Sequence, residues 1–251
     1  MNKLSITNSY VPITGGSVYV RQWLPELVDN DIPILLIHDS LGCIEMWRDF
    51  PEQLAFSLRR RVIAYDRLGF GQSTPRQEPM ALTFIDEEAD IVFPTLCAAL
   101  NLESVLLFGH SVGGGMAIAM ASRFSDTDKI QAVVTLSAQA FVEHRTIEGI
   151  KEARAFFQTR NGLSKLEKFH GEKAIWVLNG WTNNWLDPAF ATWSLDKYLA
   201  NIKCPILAIH GDEDQYGSTD FPFHIVCKTQ GFSRLRIMEN TQHAPHREKP
   251  E

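Results

Sequence analysis

The stretch Ser104–Ala121, "SVLLFGHSVGGGMAIAMA", decides how this 251-residue chain is read. An apolar run stops at Gly109, a serine follows two residues later between glycines, and a small-residue helix pattern begins. The run reads as a buried strand and residues 112–123 as the helix after it. Gly109-His110-Ser111-Val112-Gly113 is therefore G-x-S-x-G at a strand-to-helix corner. The glycines leave no Cβ where strand, turn and helix would collide, and the serine is forced into a strained backbone that pushes its Oγ into the cleft. The following helix aims its free N–H groups and positive dipole end at the same spot. A phosphate loop would need Lys-Ser/Thr after its last glycine, where Met116-Ala117 stand, and the spacing is not that of a dinucleotide loop.

Outward from this corner, the same texture repeats. Residues 17–24 alternate like a half-buried strand, and "IPILLIH" (32–38) is a continuous apolar run of the kind covered on both faces. Helical spacing over 45–58 precedes a strand at 61–66. Residues 82–101 form a long helix pattern, with Thr83 as N-cap and Pro94 as a kink. A strand at 130–137 follows the serine helix, and further strands are expected at 204–211 and 233–240, with a helix near 219–230. This alternation predicts an α/β fold: a mostly parallel sheet with helices on both faces. Residues 139–197 break the pattern with helix-like segments and four of the six tryptophans, and read as a helical cap inserted into a core formed by 1–138 and 198–251.

Composition sets the limits. Hydrophobic residues make up 45% and charged residues 22%, with a net charge of −6, as in a soluble globular protein. The one basic run, Arg59–Arg61, reads as a solvated helix end, so no nucleic-acid partner is expected. No apolar run approaches the roughly 20 residues of a membrane span, and the N-terminus lacks a signal-peptide core, which makes the cytoplasm the expected location. Cys43, Cys97, Cys204 and Cys227 form no C-x-x-C pair and read as small buried hydrophobes in a reducing compartment.

A serine hydroxyl needs a base to take its proton. Asp212 and Asp214 lie just past the strand at 204–211, and His243 just past the last strand, with His246 close by. In a parallel sheet these ends share the rim where ligands bind.

With "HDSLG" (38–42), "DRLGFGQS" (66–73), "GHSVGG" (109–114) and "GDED…H" in this order, nearly the whole chain resembles the α/β-hydrolase superfamily, in its branch of small esterases, lactonases, meta-cleavage-product hydrolases and dehalogenase-like enzymes. The resemblance implies Ser111 as nucleophile, His243 as general base, and Asp214 as the acid orienting it, with Asp212 a turn residue and His246 a surface or cleft-wall residue. It places the oxyanion hole at the N–H groups of Val112 and Ser40. Relatives usually read His-Gly where this chain has His38-Asp39; aspartate tolerates a left-handed backbone, and the Ser40 hydroxyl is a candidate third donor. A serine nucleophile argues against dehalogenation. Relatives also continue into a final helix after "H-x-x-H-x-E-x-P", whereas this chain stops at Glu251. Either the sequence is cut short, or the protein does without that helix and holds His243 less firmly.

The remaining candidates have quieter readings. His38 orders the oxyanion loop by hydrogen bonding and sits near the pocket, His210 is a packed core residue, and His144, His170 and His224 are surface or cap residues. Asp66 is a structural turn acid, and Glu45 a helix-start acid. No metal, nucleotide or flavin motif appears, so no cofactor is expected; a His210/His243/Asp214 metal site would compete with the triad. Phe141, Phe156, Phe157, Trp176, Trp181, Trp185 and Trp193 are candidates for an apolar pocket wall. The expected substrate is a small or medium ester or lactone. The alternatives are a carbon–carbon hydrolase of the meta-cleavage type, a slow-turnover ligand receptor retaining the triad, and a perhydrolase side activity.

Overall fold

The computed structural model describes residues 3–250. Eight strands form one sheet: β1 (Leu4–Ile13), β2 (Gly16–Pro25), β3 (Ile34–Ile37), β4 (Val62–Tyr65), β5 (Val105–His110), β6 (Ile130–Leu136), β7 (Ile206–Gly211) and β8 (Ser233–Met238). Their order is β1-β2-β4-β3-β5-β6-β7-β8. The β1–β2 and β2–β4 pairs are antiparallel and the rest parallel. Strands β3 and β4 are buried at every position, as expected of runs covered on both faces.

The sequence reading missed β1. Apart from Val11 its residues are exposed or half-buried, and Pro12 suits it to an edge. Gly15 turns the chain into β2 at φ 89°.

Helix α1 (Phe50–Leu58) follows a 3-10 turn (Ile44–Trp47), and Arg48 at φ 56° separates the two, which breaks the single helix expected over 45–58. The long helix expected over 82–101 is likewise divided: α2 (Phe84–Glu87) and α3 (Phe93–Ala99) are joined by a π-helical segment, Glu88–Val92. Pro94 supplies no N–H to a regular ladder there. The Thr83 hydroxyl donates to Glu87 Oε1 at 3.1 Å and does not cap the backbone.

Helix α4 (Val112–Arg123) packs on β5 and β6 and is buried along all but its last residue, which is why its sequence is so rich in Gly and Ala. Between β6 and β7 the chain forms α5 (His144–Phe157), α6 (Arg160–His170), α7 (Ala174–Trp185) and α8 (Asp196–Leu199). Helix α9 (Asp220–Lys228) connects β7 to β8, and α10 (Pro245–Glu248) follows. No helix among the described residues is long and apolar enough to cross a membrane.

Candidate active site

Strand β5 carries the chain to Ser111, whose backbone sits at φ 55°, ψ −125°, a conformation costly for any residue with a side chain. The flanking glycines show what holds it. A Cβ on Gly109 would stand 2.2 Å from the Gly113 carbonyl oxygen, and one on Gly113 would stand 2.2 Å from that of Ile37. Both contacts are far inside van der Waals range, so no other residue lets α4 approach β5 and the end of β3 this closely.

Val112 is the first residue of α4, so its N–H has no acceptor within the helix. In the loop after β3, Gly42 N–H is taken by Asp39 O (3.2 Å) and Leu41 N–H by Asp39 Oδ1 (3.0 Å), while among the described residues Ser40 N–H has no acceptor. Asp39 does not adopt a left-handed backbone. Its carbonyl is held by Arg67 Nη2 at 2.9 Å. Arg67 N–H donates to His38 Nε2 (3.1 Å), which makes Nδ1 the protonated nitrogen that donates to Asp39 O at 2.8 Å. Burial, and then the Arg67 charge, hold His38 well below the usual histidine range.

The loops after β7 and β8 supply an acid and an imidazole. His243 Nδ1 lies 2.7 Å from Asp214 Oδ2, and Asp214 Oδ1 accepts the Tyr216 N–H at 2.8 Å. Burial works against a charge on both side chains, but their mutual attraction wins: Asp214 is held below the usual carboxylate range and His243 is pushed above 6.5. Asp212 instead accepts from Thr241 N–H. The loop carrying His243 is fastened on both sides, since Glu248 accepts from Gln242 N–H (2.8 Å) and Ala244 N–H (3.1 Å).

Ser111, His243 and Ser40 line one cavity of about 150 Å³, together with Trp181 and Trp185 from α7 and Phe157 from α5. The Ser111 hydroxyl is not hydrogen-bonded to His243. It lies 3.3 Å from both Oε1 and Nε2 of the Gln139 carboxamide, just past β6. Sequence reasoning missed Gln139, although its place beyond a strand end was a signal. Tyr216, whose ring meets His243 edge-on at 4.8 Å, was missed too.

Five expected pocket residues, Phe156 and Trp193 among them, do not line it. Phe141 packs against Phe221 (4.8 Å) and His224 (5.2 Å). Trp176 covers Gly69, meets Phe70 at 5.6 Å, and donates to Glu78 O. His38 is buried at the end of β3 and does not line the cavity. His246 is no surface residue: it packs among Trp47, Phe50 and His110 with neither ring nitrogen partnered, and burial pushes it down to about 2. His170 is also buried. Its Nδ1 accepts from Gly71 N–H (3.0 Å), and its Nε2 donates to Leu41 O (2.8 Å). Asp66 accepts the Ile44 and Gln72 N–H groups, His210 is buried beside Asp214, and Glu45 pairs with Arg21. Of the four free cysteines, Cys227 is exposed and so is not the buried hydrophobe expected.

Known proteins share this plan. The human serine hydrolase BPHL is 27% identical, over 96% of this chain and 82% of its own length. The bifunctional esterase/perhydrolase DCH of Acinetobacter calcoaceticus is 25% identical, over 85% and 83%. Among solved structures, a proline iminopeptidase of Mycobacterium smegmatis superposes with a TM-score of 0.74 at 20% identity, covering 97% of this chain and 94% of that one. The carboxylesterase CesB of Bacillus subtilis gives 0.71 at 20% identity, over 98% and 88%. Those two likenesses are of fold. Residues 32–161 match the family model described as alpha/beta hydrolase fold, and the chain belongs to that family.

Proposed function

We propose that this protein is a serine hydrolase that cleaves a small or medium carboxylic ester or lactone through an acyl-enzyme. The observation that carries the reading is the 2.7 Å Asp214–His243 contact, on a histidine that shares its cavity with a serine at positive φ. Asp214 fixes the His243 proton on Nδ1, leaving Nε2 to accept. The Ser111 hydroxyl turns from Gln139 to Nε2, gives up its proton and attacks the carbonyl carbon. The N–H groups of Val112 and Ser40 receive the negative charge that develops on the carbonyl oxygen. His243 then passes the proton to the leaving alkoxide, which departs as the alcohol. Water enters, loses a proton to His243 and adds to the acyl carbon; Ser111 leaves with that proton, and the acid is released.

A cavity of about 150 Å³ is on the scale of one that accepts benzene, which favours compact substrates. In this reading residues 139–197 act as a cap over a core of 1–138 and 198–251, with Trp181 and Trp185 as pocket wall. An esterase/perhydrolase matched over 83% of its own length lends further support. The test is a fluorophosphonate probe together with p-nitrophenyl acetate turnover. Wild type should be labelled and active, and Ser111→Ala should be unlabelled and at least about 10³-fold slower. Wild-type turnover by Ser111→Ala would end the reading.

A further inference from the structure

A second carboxylate–imidazole pair lies behind the first. His110, the residue before Ser111, is buried. Its Nε2 lies 2.8 Å from the His243 carbonyl oxygen, and its Nδ1 lies 3.2 Å from Asp39 Oδ2. A carbonyl oxygen can only accept, so Nε2 donates. The other Asp39 oxygen takes the Leu41 N–H beside Ser40. One ring therefore spans three segments: the loop holding the Ser40 donor, the corner holding Ser111, and the loop holding His243.

The arrangement also accounts for an acid beside an oxyanion site. A bare carboxylate there would repel the charge that develops on the substrate oxygen. Both Asp39 oxygens instead face donors, one on its own loop and one on the ring. That ring faces an oxygen at each nitrogen, the His243 carbonyl on one side and Asp39 Oδ2 on the other. Burial works against the Asp39 charge, but the His110 contact holds it well below the usual carboxylate range.

We infer that Asp39 and His110 are positioning residues that act through each other to hold the oxyanion loop and the His243 loop in register across Ser111. This rests on the proposal that Ser111 and His243 perform hydrolysis. The test is steady-state turnover of p-nitrophenyl acetate by Asp39→Ala, His110→Phe and the double variant, with melting temperatures measured alongside. Each single change should lower kcat about 10- to 100-fold with KM within twofold, since sub-ångström misplacement of reacting groups acts on the chemical step. The double variant should be no slower than the slower single, because each removes the same link. Asp39→Asn should recover at least tenfold of the Asp39→Ala loss, since a carboxamide can accept from Leu41 N–H and donate to the ring. If Asp39→Ala does not fold, Asp39→Leu, closer in volume and lacking an acceptor, replaces it. Unchanged kcat, additive losses, or losses carried in KM would overturn the inference. If Ser111→Ala also turned over normally, the underlying hydrolase reading would fail; if it were dead, only the positioning role would fall.

Discussion

The serine corner and the helical segment between β6 and β7 form opposite walls of one cavity, yet they are held by different physics. At the corner, backbone packs on backbone. Gly109 and Gly113 have no room for a single methyl group, and the strain at Ser111 is maintained by that closeness. In the helical segment, side chain packs on side chain: Trp185 sits against Phe190 and Trp193, and Trp181 against Tyr216. Backbone contacts of the first kind have no alternative rotamer, whereas aromatic contacts can be repacked. On the proposed reading, reaction geometry belongs with the first wall and substrate choice with the second.

The strongest way to break this contrast is at the acid. Asp214→Asn should lower kcat about 10⁴-fold by favouring the wrong tautomer of His243. An equal loss from any aromatic substitution in α7 would refute the division. Next in size is Gly113→Ala, whose methyl would press on the Ile37 and His38 carbonyls. It should cost about 3 kcal/mol, a fall in Tm of roughly 6–12 °C by calorimetry for a domain of this size. Trp181→Leu should act differently, raising kcat/KM for longer-chain p-nitrophenyl esters about tenfold relative to the acetate, as one or two accommodated methylenes would.

The pH profile sharpens the same comparison. In its proposed role as base, His243 must be neutral to accept a proton, and Asp214 raises its pKa above the ordinary 6.5. Activity should therefore fall as pH drops through a limb above 6.5 in the kcat/KM profile. Trp181→Leu should leave that limb in place, since Trp181 carries no charge toward the imidazole.

The two walls also differed in how far the sequence revealed them. Runs such as Ile34–Ile37 and Val105–His110 are buried on both faces, so their unbroken apolar character announced strands, and the polar residues just past them marked the rim. Edge strand β1 buries little and gave no such signal. In the helical segment, aromatic content was plain but direction was not. Trp181 and Trp185, four residues apart on α7, face the cavity, while Trp176 turns to Gly69 and Phe141 to Phe221. Helical spacing cannot say which neighbour a face will meet. The contacts of His170 and His110 were hidden for the same reason, because their partners lie 129 and 133 residues away in sequence.

His170 carries one further consequence. From the last turn of α6 its ring joins the Leu41 carbonyl to the Gly71 amide. Helix α6 therefore cannot swing outward as a free door: lifting it severs both bonds and tugs directly on the strip of chain that presents Ser40. On the proposed hydrolase reading, any displacement of α6 would be felt through this one imidazole at the segment that carries the Ser40 donor.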